Sequence, residues 1–159
     1  MVEPKVRKEL DEIKQHFRKV GLRWTKQREA IVEQAFLTHE HFSAEQLYEM
    51  LKGRLGRDSA HLATIYRTLQ VLEEGGFIEG FDVHKGEGRL YEHVLGHEHH
   101  DHVICNDCGK IFEFHDDQLE RIKIADAADL GIEMTHHSLR IFGDCTRLRR
   151  DGRCENKVR

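Results

Sequence analysis

The chain contains a single proline, and none of its apolar runs approaches the length of about 18 residues that a membrane helix requires. With 38% hydrophobic and 34% charged residues, this scarcity of proline excludes a disordered chain and fits a helix-rich globular one. The charged start, with Lys5, Arg7 and Lys8, leads into no apolar signal segment, so the expected location is cytoplasmic. No internal repeat or low-complexity linker interrupts the sequence. The 159 residues allow one large domain or two small ones. Four cysteines are an unusual part of the composition, and in a cytosolic chain they are more often metal ligands than disulfides.

Net charge is the other thing in short supply, at -4, a total that hides a local excess. Residues 5–28 carry nine basic side chains against three acidic ones, a distribution open to two readings: a nucleic-acid face or a solvated helix face. Histidine, by contrast, is abundant, with thirteen copies.

Periodicity organises the first half. Val6, Leu10, Ile13, Phe17 and Val20 form one helical stripe that ends before Gly21. Thr25 caps a second helix running to about Leu37. Ser43 and Gln46 form a capping box, with Phe42 and Leu47 as its hydrophobic staple, for a third helix that stops near Gly53. A fourth helix starts at Asp58 or Ser59, buries Leu62, Ile65, Leu69 and Leu72, and ends before Gly75 and Gly76. Strands are expected at 77–83 and 89–94 around a turn at 84–88. Helices followed by a hairpin imply a winged helix. Beyond residue 94 the texture changes: strands around 103–105 and 111–114, a helix after Asp117 closed by Gly131, and a last strand over 132–142 imply a second, α+β lobe.

On the fourth helix Ala60, Ala63, Thr64 and Arg67 lie opposite the apolar stripe, with Tyr66 at its flank. Small methyl-bearing side chains suit thymine methyls, and arginine can form two hydrogen bonds to guanine, as major-groove reading requires. An ordinary exposed helix face has the same composition, so the pattern alone leaves both readings open.

Cys105 and Cys108 form a C-x-x-C knuckle, and Cys145 and Cys154 follow downstream; four thiolates suit a tetrahedral structural zinc. The competing redox reading lacks a thioredoxin-like βαβ unit around the pair. His97, His99, His100, Asp101 and His102 cluster within six positions, and alternation along a strand separates His100 and His102 from His99 and Asp101, giving two metal sites back to back. Nitrogen and carboxylate donors without sulfur suit exchangeable iron, manganese or zinc. Residues 97–102 also fit the H-x-H-x-D-H pattern of metallo-β-lactamase-like hydrolases, but those enzymes are longer and draw further ligands from a layered α/β fold.

Taken in order, Gly21–Arg28, His41-Phe42-Ser43-Ala44, Ala63-Thr64-Ile65-Tyr66-Arg67 and the run from His99 to Lys110 resemble the ferric uptake regulator family, across nearly the whole chain. The resemblance implies an α+β protein with an N-terminal winged-helix DNA-binding domain, residues 1–90, and a small α/β dimerisation domain, residues 91–159. It implies an iron-responsive transcriptional repressor, not an enzyme, with no small-molecule substrate and no membrane partner. Its partner would be double-stranded operator DNA, read through Ala60, Ala63, Thr64, Tyr66 and Arg67 with Lys26 and Arg28. Carried over by position, His41, Glu92, His100, His102 and Glu113 form the regulatory site for Fe(II), with Mn(II) or Zn(II) able to substitute. His99, Asp101, Glu120 and His137 form a second site. Glutamate at Glu113 resembles the iron sensors, whereas peroxide sensors typically have aspartate there; a peroxide-, zinc- or manganese-sensing relative is the alternative. Glu120 has a second reading, as the end of an acidic capping box begun by Asp117. The eight residues between Cys145 and Cys154 depart from the commonest family spacing, and the basic segment 147–153 must loop back for Cys154 to join the zinc site. A homodimer is expected, with assembly to a tetramer left open.

Overall fold

The computed structural model describes residues 4–55, 61–82, 88–96 and 99–154. Those up to residue 96 form one compact unit, and residues 99–154 a second. The expected division after residue 90 falls inside a strand, so Tyr91, Glu92 and His93 belong with the first unit through their pairing.

In the first unit α1 (Pro4–Lys19), α2 (Lys26–Leu37), α3 (Ala44–Leu55) and α4 (Leu62–Glu74) accompany a sheet of β1 (Phe42–Ser43), β2 (Ile78–Asp82) and β3 (Arg89–His93). The order is β1-β3-β2, all antiparallel, with Phe42 and Gly80 both opposite Tyr91. The starts of α2 and α3 have local causes. The Thr25 hydroxyl accepts from the Arg28 amide at 3.3 Å. The Ser43 amide donates to Gln46 Oε1 at 2.7 Å while the Gln46 amide donates to Ser43 Oγ at 3.2 Å, completing the reciprocal box. The described part of α4 begins after His61; Asp58 and Ser59, expected to start it, lie outside the described residues.

Helical spacing delivers Ile13 and Phe17 from α1, Ile31, Val32 and Phe36 from α2, Leu47 and Leu51 from α3, and Ile65, Leu69 and Leu72 from α4 to a single core. Val20 does not join it: α1 ends at Lys19 and Val20 is exposed. The strand β1 was not anticipated. Its two residues pair with β3 immediately before the capping box, so the staple residue Phe42 is also a sheet residue.

The second unit holds β4 (Asp101–Cys105), β5 (Ile111–Phe114), α5 (Asp117–Asp129), β6 (Arg140–Gly143) and α6 (Thr146–Asp151). The order is β5-β4-β6, with β5 antiparallel and β6 parallel to the central strand. The last strand is much shorter than the expected 132–142. Its partner β4 has only five residues, and pairing begins at His102 opposite Arg140, so the chain before residue 140 has no strand to lie against. The α5 helix is capped by Asp116, whose carboxylate accepts from the Gln118 and Leu119 amides, not by Asp117. Glu120 is thereby released from the capping role. The 147–153 segment is mostly helical: Cys145 Sγ caps α6 by accepting from the Leu148 amide, and Gly152 ends it with φ of 66°.

Candidate metal centres and nucleic-acid face

The α4 helix buries Ile65, Leu69 and Leu72 and turns Ala63, Tyr66 and Arg67 to solvent, with Thr64 half-buried. Ala60 lies outside the described residues. The Tyr66 hydroxyl donates a short hydrogen bond to Glu45 on α3; this bond holds the Glu45 carboxyl below its ordinary range and pushes the tyrosine up. Lys26 is exposed in the first turn of α2. Arg28 is half-buried, donating to the Arg23 carbonyl and lying over the Phe17 ring, so part of its donor capacity serves the fold. At the turn end of the hairpin Arg89 joins Glu73 on α4 to Asp82 on β2.

Of the expected regulatory set, the first unit supplies His41 and Glu92. The short β1 sets the residue before it against the neighbouring β3, and His41 Nε2 lies 3.1 Å from the buried Glu92 carboxylate. The His41 ring stands edge-on to Phe81. The second unit supplies the other three. His102 on β4 is directly opposite Glu113 on β5, and His100 reaches the same carboxylate at 3.8 Å, with the two imidazoles 5.0 Å apart. All of these donors are imidazole nitrogens and carboxylate oxygens, a set that fits Fe(II), Mn(II) or Zn(II) by donor type.

On the other side of β4, the second expected set is brought together. One donor atom each from His99, Asp101, Glu120 and His137 lies within 4.8 Å of the others. The period-two alternation of the strand accounts for the separation of this set from His102. His99 Nε2 is 3.3 Å from Asp101, His137 Nε2 is 3.2 Å from Glu120, and the two imidazoles are 4.1 Å apart. One participant was missed by sequence reasoning: Lys123, whose ammonium lies 2.9 Å from Asp101, 2.7 Å from Glu120 and 2.6 Å from His137 Nε2. Its position three residues after Glu120 on α5 was the available signal, since that spacing puts both on one helix face. Burial pushes the Asp101 carboxyl up, but the Lys123 and His99 partners outweigh it and hold the group below its usual range. Lys123 lowers Glu120 in the same way, chiefly through its hydrogen bond.

The four cysteines form no disulfide. The knuckle turns at Gly109, whose φ of 72° is open to glycine at little steric cost, and the Gly109 amide donates to the Cys105 carbonyl at 2.9 Å. Asp107 then accepts from the Cys145 amide at 2.7 Å, fastening the downstream cysteine to the knuckle. Burial, together with the hydrogen-bonding neighbours Cys105 and Cys154, raises the Cys108 thiol to about 11. Cys154, which the unusual spacing put in doubt, therefore lies against Cys108, returned there after the helical α6. Sulfur donors thus meet from the knuckle and from Cys154, with the Cys145 backbone tied alongside, and thiolates suit zinc.

Residues 19–142 match the Ferric uptake regulator family. The chain belongs to that family. Its members are metal-binding, DNA-binding transcription regulators and not enzymes, which removes the hydrolase reading of residues 97–102. The chain is 34% identical over 148 residues to the ferric uptake regulation protein of Campylobacter jejuni, covering 93% of this chain and 89% of that protein. It is 32% identical over 144 residues to the peroxide-responsive repressor PerR of Staphylococcus epidermidis, covering 91% and 93%. Among solved structures, the Helicobacter pylori ferric uptake regulator Fur, reported with three functional metal-binding sites, superposes with a TM-score of 0.75 at 29% identity, covering 93% of this chain and 95% of that one. The α+β architecture with an N-terminal helical domain agrees with that neighbour. Among the described residues, no helix is long and apolar enough to cross a membrane.

Proposed function

We propose that this metalloregulator is an iron-responsive transcriptional repressor that binds operator DNA as a homodimer in the cytoplasm. The observation that carries the reading is the sorting of donors: sulfur-free histidine and carboxylate ligands gather apart from the cysteine knuckle, so exchange and permanent retention of metal are served by different chemistries. Cys105, Cys108, Cys145 and Cys154 are the ligands for a structural zinc. His41, Glu92, His100, His102 and Glu113 are the ligands for the regulatory ion, Fe(II) or Mn(II). A divalent ion held by these residues would supply a coordination centre for imidazole nitrogens and carboxylate oxygens.

The residues of the chain do the rest. His41 and Glu92 are fixed by β1 and β3 within the winged-helix unit, which carries α4; His100, His102 and Glu113 are fixed by β4, β5 and the turn before them. Were both sets to hold one ion, the orientation of α4 in each protomer would be restricted, and two α4 helices so restricted would match successive half-sites of a duplex. Ala63, Thr64, Tyr66 and Arg67, with Ala60 before them, read the groove, and Lys26 and Arg28 neutralise phosphate.

Iron is preferred to peroxide as the signal because Glu113 resembles the iron sensors, although the Staphylococcus epidermidis relative is a peroxide-responsive repressor. Anaerobic fluorescence anisotropy with DNA from upstream of this gene tests the switch, comparing zinc-loaded protein with and without Fe(II) or Mn(II). Saturable, competitor-resistant binding that requires added metal is the expected result. Equal binding with and without metal would remove the regulatory reading. Mass-spectrometric detection of oxidised histidine after peroxide treatment would move the assignment to peroxide sensing.

A further inference from the structure

The second metal cluster contains a cation of its own. Asp101 is 2% exposed, and a carboxylate so buried requires a compensating charge. Lys123 provides it. An ammonium group has three donors, and here three partners face them: Asp101 Oδ2 at 2.9 Å, Glu120 Oε1 at 2.7 Å and His137 Nε2 at 2.6 Å, which accepts when the imidazole proton is on Nδ1. These acceptors come from three of the four side chains that would ligate a metal, and a metal ion needs lone pairs of the same kind, at about 2.0 to 2.2 Å.

We propose that Lys123 is the resident cation of this cluster, so that in this chain the second site is held together without metal and accepts a divalent ion only when Lys123 is displaced. The charges make lysine and a divalent ion mutually exclusive at these oxygens. With neutral imidazoles, one lysine leaves the two carboxylates at a net charge of -1. A divalent ion in place of lysine would bring the cluster to zero, but a divalent ion beside a retained ammonium would set two cations a few ångströms apart at the same oxygens. Lys123 also performs the structural task of a bridging ion, because it links α5 to the central strand β4 through Asp101 and to the approach of β6 through His137. Lys123 is thus a specificity-determining residue: it sets how many exchangeable ions each protomer binds, leaving the regulatory ligands as the responsive set.

The test counts Mn(II) bound to zinc-loaded, full-length protein, reading free Mn(II) by electron paramagnetic resonance. His102→Ala removes a regulatory ligand in both proteins compared, so the difference between His102→Ala and His102→Ala with Lys123→Gln reports on Lys123 whether or not the regulatory assignment is correct. The expected result is a gain of one Mn(II) per protomer on removing the lysine charge, bound at least about tenfold more tightly than anything in the Lys123 parent. Equal Mn(II) uptake by the two proteins overturns the proposal. If the double variant does not fold, nitrogen-15 spectra of the lysine ammonium groups in the unmodified chain decide the matter. Titration with diamagnetic Zn(II) beyond the structural equivalent should fill the second cluster only as the Lys123 signal moves to a solvent-exposed position. Occupation of the cluster, reported by His137 shifts, with the Lys123 signal unmoved would also overturn it.

Discussion

His102 and Cys108 lie in the same unit and are the proposed ligands of different metals, and substitution should separate them. His102 is buried on β4 opposite Glu113, and replacing its imidazole with alanine removes a nitrogen donor without disturbing the knuckle. His102→Ala is therefore expected to keep its zinc and its fold while losing metal-dependent operator binding, read by elemental analysis and anisotropy on the same sample. Cys108→Ser should do the reverse first, losing zinc, because a hydroxyl is a poor substitute for a thiolate whose neighbours include Cys105 and Cys154. Retention of full metal response by both variants would sink the assignment of ligands. On α4 the corresponding test is Arg67→Ala. An exposed arginine that reads a base should cost about 1 to 3 kcal/mol in discrimination at one operator position, with metal content unchanged. Unaltered preference at every position would take Arg67 out of the interface.

At the level of elements, the features with strong local causes were legible in the sequence. The Ser43-Gln46 box and the Thr25 cap are each settled by a side chain bonding to amides a few residues away, and the apolar stripe of α4 is a matter of period alone. The box is directly testable: Ser43→Ala should lower stability by about 1 kcal/mol. That corresponds to a fall of roughly 4 to 8 °C in melting temperature for a unit of this size, measured calorimetrically. No fall would show that the β1 pairing at Ser43, not the cap, holds the start of α3. What was hidden depended on partners distant in sequence. The length of β6 was set by β4, which no reading of residues 132–142 in isolation reveals. Asp116 took the cap that Asp117 offered equally well on composition, and this freed Glu120 for the second cluster. For Lys123 only the three-residue spacing from Glu120 was local; its other partners come from β4 and the stretch before β6. Alternation along the histidine-rich strand did sort His99 and Asp101 from His100 and His102, because period two is a property of the strand itself.

For the whole molecule, the second unit has an apolar surface that one chain leaves uncovered. Leu130 is 77% exposed, Ile132 59% and Ile124 53%, and Ile104 is the one fully buried large hydrophobic residue among the described residues of that unit. Family members form dimers, and a second copy of this unit would cover such a surface. In the proposed mechanism the dimer couples metal to DNA, and any such coupling is reciprocal by thermodynamic necessity. If the regulatory ion favours the arrangement of two α4 helices that fits the operator, the operator must favour the ion by the same factor, commonly worth about 1 to 3 kcal/mol, or roughly 5- to 150-fold. Mn(II) affinity measured with saturating operator should therefore exceed that of the free dimer by the ratio that Mn(II) produces in operator affinity, under identical salt. Salt must be matched because each phosphate contact contributes its own ionic-strength dependence. A variant in which Leu130 and Ile132 are replaced by polar residues should sediment as a monomer and lose most of this coupling, since a lone protomer can engage only one half-site whether or not its ion is bound. If that variant is monomeric and still shows the full reciprocal factor, the switch operates within one protomer and the fixed spacing between two reading helices is not its basis.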